Sequence, residues 1–144
     1  VVSLLDGLAQ YLADRGIGVY DPNGGAEAAD WAIFMEHLPS SPDRAIALTL
    51  YGGRAPDSRN PWDFPRLQVR VRGTNDPRDS HAKADAVYSL LHGLSSTPLP
   101  GGIWLSLATG VQSGPMPIGV DGNARHEHVV NFELSITNPT AHRA

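Results

Sequence analysis

The chain contains no cysteine. Disulfide cross-links, thiol nucleophiles and thiolate zinc sites are excluded together, so stability has to come from apolar packing and hydrogen bonding. No apolar run approaches the roughly 20 residues that a membrane-crossing helix requires. The opening segment VVSLLDGLAQYLADRGIG lacks a basic start and carries Asp6 inside its apolar stripe, so it reads as mature, soluble protein and not as a leader. Basic residues are in deficit: 11 Lys and Arg stand against 15 Asp and Glu, a formal charge of -4. A dedicated nucleic-acid-binding domain needs a basic face to gather phosphates, and this balance speaks against one while leaving room for a local basic patch. What is present is 41% hydrophobic residues with 15 Gly and 12 Pro, a composition suited to a globular domain of many turns and short strands. At 144 residues the chain can bury a core as one domain spanning 1–144.

Ser3 and Asp6 form a capping-box pattern ahead of Leu4, Leu5, Leu8 and Leu12 at helical spacing, and Gly16 supplies a stop, which predicts a helix over about 3–15. IGVY predicts a short strand closed by the turn residues Pro22, Gly24 and Gly25. DWAIFMEHLP is apolar on both parities, as a buried strand is. In RAIALTLYGG, Ile46, Leu48 and Leu50 alternate with Ala47 and Thr49. After a polar loop, Leu67, Val69 and Val71 alternate with Arg66, Gln68, Arg70 and Arg72, which predicts a strand with an apolar face inward and an arginine face outward. Asp76 and Pro77 then open a helix with an apolar stripe of Ala86, Val87, Leu90, Leu91 and Leu94, with Lys83 and Asp85 turned away. SSTPLPGG reads as a breaker. IWLSLATGVQ predicts a strand, VDGNAR a hairpin turn, and ARHEHVVNFELSIT a long last strand with Val130, Phe132, Leu134 and Ile136 aligned. Several strands follow one another without crossover helices, so the fold class is α+β: a mainly antiparallel sheet packed by two helices.

Catalytic patterns are weak. His126 and His128 lie two apart on one strand face and could approach a common metal ion, which keeps a small metal-dependent hydrolase as one alternative. A zinc site needs a third ligand, and neither His37 nor His81 stands at motif spacing to the pair. The glycines of GGRAP, PGG and DGN lack the Lys-Ser/Thr or helix start that a phosphate loop requires, and no nucleophile-elbow sequence accompanies the available Ser, His and Asp. No catalytic, cofactor-binding or metal-binding residue is assigned. The arginine face reads either as solvated surface that discourages edge pairing or as a contact with acidic groups on partner subunits. Trp62 and Phe64 in NPWDFP and Met116 in SGPMPIG suit an interface and equally suit packing on the domain's own core. The candidate interface residues are therefore Trp62, Arg66, Gln68, Arg70, Arg72, Met116 and Arg125.

Three segments together resemble the tailed-bacteriophage minor capsid and tail-terminator (tail-completion) proteins: LLDGLAQYLADRGIG, LQVRVRGTNDPRDSHAKADAVYSLLHGL and GPMPIGVDGNARHEHVVNFELSI. The likeness is carried by Arg72, Gly73, Asp76 and Pro77 at a strand-to-helix junction, then by Pro117, Asp121, Arg125, Asn131 and Phe132 across a hairpin into the last strand. It covers most of the chain, residues 21–64 least. The resemblance implies an α+β virion subunit without catalysis or cofactor. It also implies assembly, in the host cytoplasm, into a ring, usually a hexamer, on the head-proximal end of the tail tube. Its implied partners are copies of itself, the tail tube protein and the head–tail connector or stopper, with DNA passing through the channel without sequence-specific binding and no membrane involved. A monomeric binding module of the same fold is the other alternative.

Overall fold

The computed structural model describes residues 3–23 and 30–143; the expected turn glycines Gly24 and Gly25 lie outside them. The elements run α1 (Leu4–Asp14), β1 (Ala32–Met35), β2 (Ala45–Gly53), β3 (Trp62–Asp63), β4 (Pro65–Arg72), α2 (Pro77–Leu91), β5 (Ser95–Pro98), β6 (Trp104–Gly110), β7 (Met116–Val120) and β8 (His126–Thr137). The strands make one eight-stranded sheet in the order β1-β2-β4-β8-β6-β5, with β3 and β7 also paired to β8. Only the β1–β2 pair is parallel. This is the expected α+β fold, a mainly antiparallel sheet with two helices.

The long strand β8 organises it. Along one edge it takes β3 and β4 in a single register, from Trp62 opposite Thr137 to Arg72 opposite Glu127. Along its other edge it takes β6 and then β7, each with a bulge that absorbs one residue. Side chains of a strand alternate between faces, so Val130, Phe132, Leu134 and Ile136 meet Leu67, Val69 and Val71 of β4 and Ile46 and Leu48 of β2 in one buried cluster. Both helices supply the other half of that core: Leu8 and Leu12 from α1, Ala84, Val87 and Leu91 from α2. Where β2 ends against β4, Gly53 has φ 115°, and a Cβ there would stand 2.1 Å from the Phe64 carbonyl oxygen. Only glycine lets the two backbones approach this closely.

Each helix start follows local chemistry. Ser3 and Asp6 form the reciprocal capping box, the Ser3 hydroxyl accepting from the Asp6 N–H at 3.1 Å. The Tyr20 hydroxyl also donates to Asp6, tying the segment after α1 back to its first turn. Burial and that carboxylate push the Tyr20 phenol up to about 12. Asp76 caps α2 by accepting from the Arg78 N–H, with Pro77 at its first position.

The structure departs from the sequence expectations at five places. IGVY contributes only the single bridge Val19 to Ala32 and forms no strand. SSTPLPGG contains β5, which pairs with β6, and β3 forms between two prolines, where pairing at a sheet edge outweighs local preference; β7 is the Pro-containing strand that the resemblance implied before the turn. The buried face of α2 is Ser80, Ala84, Val87 and Leu91, while Ala86 is exposed and Leu90 only partly covered. The helix is rotated relative to its apolar stripe because Ser80, a polar residue, is drawn into the interface by His128. Lys83 is not turned away: its ammonium donates to the Ile17 carbonyl oxygen at 2.9 Å, with its stem along the surface between α2 and the segment after α1. Finally, part of the arginine face is buried, as described below.

Phe132, fully buried at the centre of the core, is expected to destabilise the chain by about 3–5 kcal/mol when truncated to alanine. Leu91→Ala should cost more than Leu90→Ala, since only Leu91 is fully covered. Urea denaturation midpoints of the three variants check the order.

Candidate assembly surface

The helices cover one side of the sheet and leave the other open. On the open side the registers of β2, β4, β8 and β6 set side chains in rows. Trp62 and Trp104 flank Thr137. Arg66 lies between Tyr51 and Glu133, Gln68 between Thr49 and Asn131, Arg70 between Ala47 and Val129, and Arg72 between Ala45 and Glu127. Met116 stands beside Val129 from the other edge of β8. The candidate residues Trp62, Arg66, Gln68, Arg70, Arg72 and Met116 thus share a surface, which the notion of a single arginine strand only partly conveys.

The arginines on it do different things. Arg66 is exposed, with no ion-pair partner among the described residues. Arg70 pairs with Glu127, whose side chain is only 9% exposed. Arg72, expected on the outward face, is 3% exposed: its guanidinium donates to the carbonyl oxygens of Pro39 and Pro42, each at 2.6 Å, and of Asp43 at 3.0 Å. Burial and the nearby Arg125 cation lower its pKa from the ordinary guanidinium value. Arg125 is buried as well. It bonds Asp121 at 2.8 Å, Asp43 at 3.2 Å and the Ser40 carbonyl oxygen at 2.8 Å. Two forked cations therefore hold the loop between β1 and β2 against the β7–β8 turn. A planar guanidinium offers five donors in a rigid fork and so reaches carbonyls spread around its rim, where a lysine ammonium has three donors at one point. Asp121 is held below the usual carboxylate range, chiefly by the Arg125 backbone N–H and with help from the Asn123 N–H and the Arg125 guanidinium. These groups border a cavity of about 520 Å³ that also includes Glu36 and His37.

The histidines are structural in their placement. His128 is 6% exposed, and its Nδ1 lies 2.7 Å from the Oγ of fully buried Ser80, joining β8 to α2. The His81 ring packs edge-on against it, with centroids 5.3 Å apart. Among the described residues no group of three or more His, Asp or Glu side chains is placed to hold a metal ion. Glu127, the residue between the two histidines, points to the open face and is used by Arg70.

Sequence reasoning missed most of the open face beyond β4. Trp104 and Leu107, 41% and 43% exposed, are apolar side chains left in solvent on it; Ile118, 46% exposed, sits at the β7 bulge, and Val120, 54% exposed, is on the helix side opposite His126. Their strands carry no exposure signal, because a residue's face on β6 and β7 is reset by each bulge.

A two-layer α+β subunit whose buried charges act as internal braces, and whose second sheet face stays open and partly apolar, has the build of an assembly component. The profile of the bacteriophage tail terminator protein family matches residues 11–138. The chain belongs to that family, and so is a structural phage tail protein and a component of the virion that associates with other tail or head proteins. A search of curated proteins returned no significant match.

Two outcomes follow from the braces. Arg72→Ala, which leaves three carbonyls without their cation, should cost more than about 2 kcal/mol, whereas Arg66→Ala should fall within about 0.5 kcal/mol; denaturant titration separates them. Burial first, and the neighbouring His81 and His126 second, lower the His128 pKa from 6.5. The folded state therefore favours neutral imidazole, and stability present above pH 6.5 is lost as pH falls below it. The fall in denaturation midpoint between pH 7.5 and 5.5 should be smaller in His128→Gln than in wild type.

Proposed function

We propose that the protein forms a ring on the head-proximal end of the tail tube, stops tube polymerisation there and docks to the head connector. The observation that carries this reading is the open sheet face: a virion subunit with half-exposed Trp62, Trp104, Leu107 and Met116 beside a free Arg66 has a surface prepared for protein contact. A six-membered ring is the stoichiometry that the family resemblance implies. DNA passes through its channel, and the overall charge of -4 suits a lining on which DNA slides instead of sticking. Arg66, Gln68, Trp62 and Met116 act at the contact itself. Arg70, Arg72 and Arg125 act behind it, by holding β4, the β1–β2 loop and the β7–β8 turn in place.

The division of labour among the arginines chooses the probe. Arg70→Glu would set a second carboxylate against the nearly buried Glu127 and disturb folding, so Arg66→Glu is the cleaner charge reversal. In a complementation assay, phage lacking the protein should make tails of irregular, overlong length. Wild-type protein should restore the length, and Arg66→Glu, folded by circular dichroism, should restore it poorly. Tails of regular length in the complete absence of the protein would end the terminator reading. Full rescue by Arg66→Glu would end only the role of that arginine.

A further inference from the structure

The exposed apolar residues of the open face are not scattered. They gather at the two ends of β8. At the Thr137 end, Trp62 and Trp104 stand on either side of Thr137, and the next row places Leu107 opposite Ser135. Phe64 lies beside them beneath the Arg54 guanidinium, 3.9 Å from its ring centroid. Between Phe64 and Leu107 opens a shallow cavity of about 60 Å³ floored by Leu134 and Ser135. At the other end lies β7, all five of whose residues are exposed: Met116, beside Val129, is its apolar side chain on the open face and Ile118 sits at its bulge, while Val120, opposite His126, belongs to the helix side. Among the described residues this strand pairs only with β8, and Pro117 and the bulge beside it blunt its outer edge for further strand pairing, so its contact is made by side chains. Thr137 and Val129, which mark the two ends, are eight residues apart, roughly 26 Å along a strand.

The free charges are sorted in the same way. Arg66, in the row next to the aromatic end, and Arg59, three residues before Trp62, have no side-chain partner among the described residues, while Arg54 and Arg143 are already paired with Glu133 and Asp63. At the β7 end the carboxylate without a partner among the described residues is Glu36, which lines the same cavity as Asp121, Gly122 and Asn123 of the β7–β8 turn and as Arg70, Arg72 and Arg125, whose guanidiniums are already engaged. One end is thus apolar with spare positive charge and the other apolar with spare negative charge. Two unlike, complementary patches on one chain are the requirement for a heterologous contact, which closes into a ring when the rotation between neighbours allows it. A two-fold contact could pair the same two patches reciprocally, but it would close at a dimer and leave no patch for further copies.

We propose that the aromatic end of one copy, built on Trp62, Phe64, Trp104 and Leu107, receives the β7 edge strand of the next copy, head to tail. This rests on the ring reading above and specifies its contact. The exposed tryptophans act as the anchors, as such residues do at the centre of protein interfaces, and Ile118 or Met116 of the neighbour enters the cavity beside Phe64.

The absence of cysteine makes the test direct. Leu107→Cys and Ile118→Cys are prepared as single variants, with Asp14→Cys on exposed α1 as the collision control, and oxidised alone and in equimolar pairs. Wild-type protein is sedimented at the same concentration, free and in the presence of tail tubes. The expected result is a disulfide dimer from the Leu107→Cys and Ile118→Cys mixture at least tenfold above the control pairs, with neither variant cross-linking to itself beyond control. The double variant should give a ladder of oligomers. A double variant that stops at a dimer, or self-cross-linking of Leu107→Cys alone, would show a two-fold contact and overturn the proposal. No cross-link in the mixture, with wild type sedimenting as a ring, would place the contact elsewhere and leave the ring standing. Wild type that remains monomeric both free and on tubes would remove the ring reading and this proposal together.

Discussion

Pairing along both edges of β8 is the constraint on which the rest of the structure depends. Its twelve residues take β3 and β4 on one side and β6 and β7 on the other, so it is the strand that both halves of the sheet share. Because side chains alternate, its register sorts every neighbour at once: Val130, Phe132, Leu134 and Ile136 face the helices, while Glu127, Asn131 and Glu133 face the open side. A slip of one residue would exchange these sets, turning Glu127 and Glu133 into the apolar core and Phe132 out of it. The depth of the core on one face therefore protects the arrangement of the other.

Buried polar groups then join the pieces that strand pairing does not reach. The Ser80 hydroxyl and His128 connect α2 to β8 where an apolar contact would otherwise be expected. Arg72 and Arg125 gather carbonyl oxygens from Pro39, Ser40, Pro42 and Asp43, a loop with few backbone partners of its own. Buried cations are tolerable only when so bonded. The loop and the β7–β8 turn are consequently held relative to the sheet, and with them the side of the molecule on which β7 is presented.

The result is an uneven subunit. One face is closed by helices; the other has a compensated polar centre, where Arg70 meets Glu127 and Arg54 meets Glu133, between two apolar ends of opposite spare charge. For a member of the tail terminator family, a virion component that associates with other tail or head proteins, this unevenness matters more than any single residue, because it gives the subunit surfaces with direction. A chain whose charges were satisfied across its whole surface and whose aromatics were all buried would have no preferred neighbour.

Much of the fold was legible in the sequence. The capping box at Ser3 and Asp6, the Asp76–Pro77 helix start, and the period-two faces of β2, β4 and β8 are local patterns, and local patterns report backbone conformation and the side that is apolar. The family resemblance drew on the same segments. What remained hidden was decided between segments distant in sequence. Nothing near Arg72 reveals that carbonyls about 30 residues earlier would surround it, or that Ser80 would be drawn inward by a histidine 48 residues away. The short strands β3 and β5 exist because β8 and β6 offer them partners, against the prolines in or beside them. The open face showed in the sequence as the alternation of β4, but its two tryptophans are 42 positions apart in the sequence and meet across Thr137 only when β8 pairs on both edges. Periodicity states which face a residue takes within its own strand; only the register between strands decides what stands beside it.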